Sequence, residues 1–108
     1  MNNNIIENKN LILLEYLKEK FKIKYPDFKV LYLFGSRARG DYSQDSDFDL
    51  VAIFDSVDKD KDFKIFGIIS EAEYKFDTLI DIQILTEEEF KFNPFFYEEV
   101  IKNGILYE

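Results

Sequence analysis

The sequence predicts an α/β (α+β) domain in which helices pack on a small β-sheet, and three observations carry that prediction. Val30-Leu31-Tyr32-Leu33-Phe34 is an unbroken apolar run, as expected of a central strand buried on both faces. Ile65, Ile69, Ala72 and Phe76 recur at i, i+4, i+7 and i+11, the stripe of an amphipathic helix. Strand-like and helix-like patterns then alternate along 108 residues, a length that suits one domain.

Taken in order, Leu13, Leu14, Leu17 and Phe21 follow helical spacing, so a first helix is expected over roughly Asn8 to Lys24, with Pro26 beyond its end. The first strand is Val30 to Phe34, and Gly35 stops it. Asp47 to Phe54 reads as a second strand. Its Asp47, Asp49, Val51 and Ile53 face one way, and Phe48, Leu50, Ala52 and Phe54 the other. The charge-dense segment Asp55 to Asp62 reads as a surface loop before the second helix. In a third strand, Leu79 to Leu85, Ile80, Ile82 and Ile84 form an apolar face, and Asp81 and Gln83 lie on the opposite one. Thr86 and Glu89 have the form of a capping box opening a short helix. Asn93-Pro94 is an N-cap and N1 pair for a last helix with Phe96, Tyr97, Val100 and Ile101 on its buried side and Gly104 at its end. Pattern alone leaves the order of the strands open.

Composition narrows the chemistry. The chain is 46% hydrophobic, with 12 Phe and 7 Tyr, enough apolar material for a packed core. It has no Cys and no His, which removes disulfides, thiolate and imidazole metal sites, and Ser-His or Cys-His nucleophile pairs. Any metal must sit among oxygen ligands, which favours Mg²⁺, Mn²⁺ or Ca²⁺. Twenty-two acids against 14 bases leave a formal charge of −8, so direct nucleic-acid binding is not expected, whereas docking on a basic protein is. No apolar run approaches the roughly 20 residues of a membrane span, and the N-terminus lacks the features of a signal peptide, so the expected location is cytoplasmic.

The chemistry-bearing residues are a Gly-Ser pair, an Asp-x-Asp pair and one distant acid. Gly35 lets a ligand approach the backbone, and Ser36 offers a hydroxyl and an amide at the start of a helical turn, where phosphate is favoured. Arg37 and Arg39 follow at once, a local positive exception suited to phosphate oxygens. Ten residues after Ser36 come Asp47 and Asp49, which on a strand project side by side and repel unless a cation lies between them. A lone Gly-Ser or a lone Asp-x-Asp is commonly a plain turn or an exposed pair; their conjunction is what carries information. Asp81 has two readings. It reaches the Asp47–Asp49 site if the strands are neighbours, or it is an edge-strand charge that discourages aggregation. Asp77, at a helix–strand junction, is a weaker rival.

Leu33-Phe34-Gly35-Ser36-Arg37-Ala38-Arg39-Gly40-Asp41, followed by Ser46-Asp47-Phe48-Asp49-Leu50 and by Asp81 in Leu79-Ile80-Asp81-Ile82, resembles the signature of the minimal nucleotidyltransferases of the DNA polymerase β-like superfamily. The resemblance runs from about Leu13 to Tyr107. It implies a mixed sheet flanked by helices, the palm fold of that superfamily. It also implies Mg²⁺ held by Asp47 and Asp49, with Asp81 as the third acid of the metal site and as the base. Gly35 and Ser36 would hold the triphosphate of ATP, with Arg39 assisting. Stand-alone members of this size are commonly antitoxins paired with HEPN-family ribonuclease toxins, to which they transfer AMP at a tyrosine. The resemblance therefore implies ATP as substrate and a HEPN toxin as partner. Two alternatives stand beside it: neutralisation of the toxin by binding alone, and a nucleotidyltransferase subunit acting on a small molecule or RNA.

Overall fold

The computed structural model describes residues 3–43 and 45–107, with side chains from Asn10 onward. Among the described residues, five helices and four strands follow in order: α1 (Asn3–Lys24), β1 (Phe28–Phe34), α2 (Ser36–Arg39), β2 (Phe48–Phe54), α3 (Lys59–Phe76), β3 (Ile80–Thr86), α4 (Glu87–Phe92), α5 (Pro94–Asn103) and β4 (Ile105–Tyr107). The strands form one mixed sheet in the order β3-β2-β1-β4, with β2 parallel to β3 and antiparallel to β1, and β1 antiparallel to β4. This is the expected α/β architecture of a mixed sheet flanked by helices.

Strand alternation sorts the core into two layers. Leu31 and Leu33 of β1 and Phe48, Leu50, Ala52 and Phe54 of β2 face α1 and α3, where Leu13, Leu14, Leu17, Phe21, Ile65, Ile69 and Ala72 complete the layer. On the other face, Val51 and Ile53 meet Phe90 of α4 and Val100 of α5, with Tyr32, Phe34, Phe96 and Tyr97 around them. Both faces of β2 are thus covered, which is why its sequence is apolar almost throughout. Aromatic edges seat α5: Phe34 meets Phe96 with ring centroids 5.2 Å apart, and Phe90 meets Tyr97 at 4.8 Å.

Four features depart from the sequence expectations. α1 extends back to Asn3 rather than starting near Asn8. The segment Asp55 to Asp62 is not all loop, since α3 begins at Lys59. Asp58 is its N-cap, accepting from the Lys61 amide at 2.8 Å, and Asp60 and Asp62 lie in the first turn. The charge density there marks a helix start, because carboxylates favour the positive end of the helix dipole. Ile101 is 46% exposed rather than buried, because the contact of α5 with the sheet runs through Phe96, Tyr97 and Val100. Finally, Ile105–Tyr107 forms a fourth strand, with Leu33 opposite Ile105. A three-residue strand carries too little alternation to be read as one.

The caps form as expected. Thr86 and Glu89 exchange reciprocal hydrogen bonds at the head of α4, and Asn93 accepts from the Phe96 amide at the head of α5. Gly104 ends α5 with its amide on the Val100 carbonyl. A Cβ there would collide with that carbonyl and lie 3.0 Å from the Leu33 carbonyl, so a glycine lets the chain turn from α5 directly into β4.

Candidate active site

Two strand ends and one short helix build the site. The sharp turn between β1 and α2 is made by Gly35, at φ 73° and ψ −156°, a region closed to side-chain-bearing residues. A Cβ at this position would run into the Asp49 carboxylate. Glycine is therefore required twice over, for the backbone turn and for the approach of a carboxylate to it. Ser36 opens α2, whose amides at Ala38 and Arg39 bond back to the Gly35 carbonyl at 3.1 Å. The amides before them stand at the end of a helix that lacks internal acceptors.

β2 enters antiparallel to β1, which places Asp49 opposite Phe34 and hence beside this turn. β3 runs parallel to β2 with Asp81 in register with Asp49. The two carboxylates lie on the same sheet face, at the strand ends beyond the cover of α4 and α5. Asp81 is therefore both of the things its sequence allowed: it sits on an edge strand, and that strand is the neighbour of β2. Asp47 lies one residue before β2 and is exposed. Asp77 closes α3 in a left-handed conformation at φ 50°, which is a helix-terminating role.

Electrostatics tie the three acids together. Partial burial, then Asp81, then Asp47 push the Asp49 carboxyl above its ordinary pKa, and Arg39 opposes them. Like charges held this close favour a cation or a proton among them. The donor set is all oxygen, suited to a hard divalent ion. Among the described residues no three carboxylates form a finished ligand cage. At the end of α3 and the start of β3, a recess of about 500 Å³ is lined by Asp45, Glu73, Tyr74, Asp77, Thr78 and Leu79.

The two arginines separate. Arg39 is exposed, and its one recorded ion pair is a 3.4 Å contact with Asp41 that is itself solvated, so its guanidinium can turn to an incoming anion. Arg37 is not a surface phosphate ligand, in contrast to the sequence expectation. It is 3% exposed, and its Nε and Nη1 donate to the Ser46 carbonyl at 3.0 Å and to Asn10 Oδ1 at 3.1 Å. Asn10, Tyr42 and Ser46, which engage it or surround it, were not singled out by sequence reasoning. The available signal was Asn10, an amide one turn ahead of the apolar stripe of α1.

The model of the nucleotidyltransferase domain family matches residues 12–107. The chain is 34% identical over 94 residues to the Methanocaldococcus jannaschii protein named "Putative protein adenylyltransferase MJ0604", covering 84% of this chain and 87% of that one. A crystal structure of a "putative nucleotidyltransferase" from Sulfolobus solfataricus superposes with a TM-score of 0.57 at 28% identity, over 94% of this chain and 83% of the other. The fold is shared as well with a Shewanella oneidensis complex of a tri-AMPylated HEPN toxin with MNT antitoxin, at a TM-score of 0.52 and 19% identity over 96% of this chain and 70% of that chain. A glycine turn facing paired carboxylates, on a sheet of this topology and within this match, places the chain: it belongs to the nucleotidyltransferase domain family and is a nucleotidyltransferase enzyme.

Proposed function

We propose that the chain is a Mg²⁺-dependent protein adenylyltransferase that serves as an antitoxin, transferring AMP from ATP to a tyrosine of a HEPN-family ribonuclease toxin. One observation carries the chemical part of this reading: Asp49 and Asp81 lie in register, with Asp47 beside them, against the glycine turn that α2 follows. The acceptor is supported by the 34% identity to the Methanocaldococcus jannaschii chain named for protein adenylylation, and by likeness of fold to an antitoxin bound to an AMPylated HEPN toxin. The charge of −8 adds complementarity to a basic, RNA-binding partner.

In the reaction, the tyrosine oxygen attacks the α-phosphorus of ATP. A new oxygen–phosphorus bond forms, the bond to the bridging oxygen breaks, and pyrophosphate leaves. Mg²⁺ held by Asp47 and Asp49 would neutralise triphosphate charge and polarise the α-phosphoryl group. The Gly35 and Ser36 amides hold the β- and γ-phosphates, and Arg39 adds a charge-assisted donor. Asp81 orients the attacking hydroxyl and accepts its proton.

The test incubates the chain with α-labelled ATP, Mg²⁺ and the HEPN-family toxin encoded beside it. Label is expected on a toxin tyrosine, and Asp47→Asn combined with Asp49→Asn should abolish it. No transfer, or transfer undiminished in the double variant, would overturn the reading. A double variant that still neutralises the toxin would assign neutralisation to binding alone.

A further inference from the structure

A buried arginine in an acidic chain requires a reason, and the surroundings of Arg37 supply one. Desolvation lowers its pKa, so the burial works against the charge it carries. The charge is nevertheless held, by contacts that converge from three segments. Asn10 comes from α1, Ser46 from the loop before β2, and the rings of Tyr42 and Phe48 lie 4.7 Å and 4.0 Å from the guanidinium carbon. Asn10 is itself buried and donates to the Tyr42 hydroxyl at 3.4 Å. Ser46 is gripped from its other side as well, since its amide donates to the Ser43 carbonyl at 3.2 Å and its hydroxyl accepts from the Ser43 amide at 3.0 Å.

These contacts bracket one residue. Asp47 has no strand ladder of its own and is exposed, yet the carbonyl before it is bonded to Arg37 and the ring after it packs under the same guanidinium. The clamp joins the Ser43–Ser46 turn and the Phe48–Leu79 hydrogen bond in fixing where the Asp47 backbone sits relative to Asp49. The planar fork of arginine suits the task, because one group donates in two directions while offering faces to two rings.

We propose that Arg37 is a positioning residue for the metal site, which holds the loop before β2 so that Asp47 is presented beside Asp49. The proposal rests on Asp47 and Asp49 being the metal carboxylates. It assigns Arg37 no contact with substrate.

The experiment is a titration of the protein with Mn²⁺ alone, followed by electron paramagnetic resonance, with thermal melting and amide hydrogen exchange on the same samples. Arg37→Lys keeps the charge and loses the fork; Arg37→Met keeps the length and loses both. Each is expected to need roughly tenfold more Mn²⁺ for half-saturation, the range seen when groups that orient metal ligands are removed. Exchange should rise in residues 41–47 while the strands stay protected. In nucleotidyl transfer the Mg²⁺ requirement should rise with little change in KM for ATP. Folded Arg37 variants that bind Mn²⁺ within twofold of the unsubstituted chain would overturn the proposal, as would exchange that rises uniformly through the molecule. Should both variants fail to fold, Asn10→Ala removes one anchor and leaves the arginine; it is expected to weaken Mn²⁺ binding roughly threefold, a smaller effect of the same orienting kind, and unchanged binding would count against the clamp. A separate control keeps the two readings apart. If Asp47→Asn and Asp49→Asn leave Mn²⁺ binding unaltered, it is the carboxylate assignment that fails.

Discussion

Asp49 carries opposing demands. Its backbone belongs to the central strand, while its side chain lies close to a glycine turn and opposite Asp81. Like charges held this close on a partly solvated face repel by roughly the 0.2–1 kcal/mol that exposed ion pairs gain. Asp49→Asn should therefore stabilise the metal-free protein by that order and abolish nucleotidyl transfer, measured by urea unfolding and by the labelled-ATP assay. Because folding raises the pKa of Asp49, the folded state binds more protons here than the unfolded chain. Its share of stability is favourable only at acid pH and is lost as pH rises through the raised value. At the residue scale the acids were visible as candidates, since Asp47 and Asp49 are i and i+2 and Asp81 interrupts an apolar strand, but that Asp81 stands in register with Asp49 was not. The roles of the two arginines were not. Arg37 and Arg39 are two residues apart on one short helical turn, and which of them turns inward depends on Asn10, far away in α1.

At the element scale, junctions do the positioning. Lys61 on the first turns of α3 donates to Asp27 Oδ2 and to the Ser56 carbonyl, both at 2.6 Å, and lies over the Phe54 ring. This clamp ties the approach to β1 to the loop that leaves β2. Burial alone would raise the Asp27 pKa, but the Lys61 and Ser56 hydrogen bonds outweigh it, and the net direction is downward from 3.8. The unfolded chain then binds more protons than the folded one between the two values. The clamp's contribution is complete above the ordinary carboxylate range and is lost as pH falls through the lowered value. Lys61→Met should flatten the acid limb of the stability–pH profile, checked by urea unfolding between about pH 3 and pH 7. Gly104 marks another junction. Gly104→Ala would press a methyl group on the Val100 and Leu33 carbonyls. It should cost about 1–3 kcal/mol, as overpacking does, and loosen β4 from β1, seen as faster amide exchange at residues 105–107. The end of α5 at Gly104 was legible from sequence. The reason was not, since the Leu33 carbonyl that crowds it belongs to another strand.

At the scale of the whole molecule, charge and topology act together. The formal charge is −8, and the site itself is acidic, with Asp45, Glu73 and Asp77 around the neighbouring recess. On the proposed reading, ATP would therefore be held by Arg39, by backbone donors and by a cation. Docking on a basic partner should be electrostatically steered, with an association rate that falls roughly tenfold between about 0.02 and 0.5 M salt, as the Debye length contracts. Stopped-flow or surface-binding kinetics would measure it, and a flat salt profile would count against a basic partner. Among the described residues no helix is long and apolar enough to cross a membrane.

The sequence by itself determined most of the elements, their order and the chemistry available, though not β4 or the start of α3. Periodicity of apolar residues is local information, and so are capping pairs, the Gly-Ser turn and the absence of His and Cys. It also marked candidate acids, because an aspartate inside a strand and two at alternate positions are anomalies visible without coordinates. Only the tertiary structure decided that β3 lies beside β2 with Asp81 in register with Asp49, that Gly35 is required by the approach of a carboxylate, and that Arg37 rather than Arg39 is buried. Those facts depend on which distant segments meet. Strand order, register and the partners of a buried charge are set by long-range packing, and no window of sequence contains them.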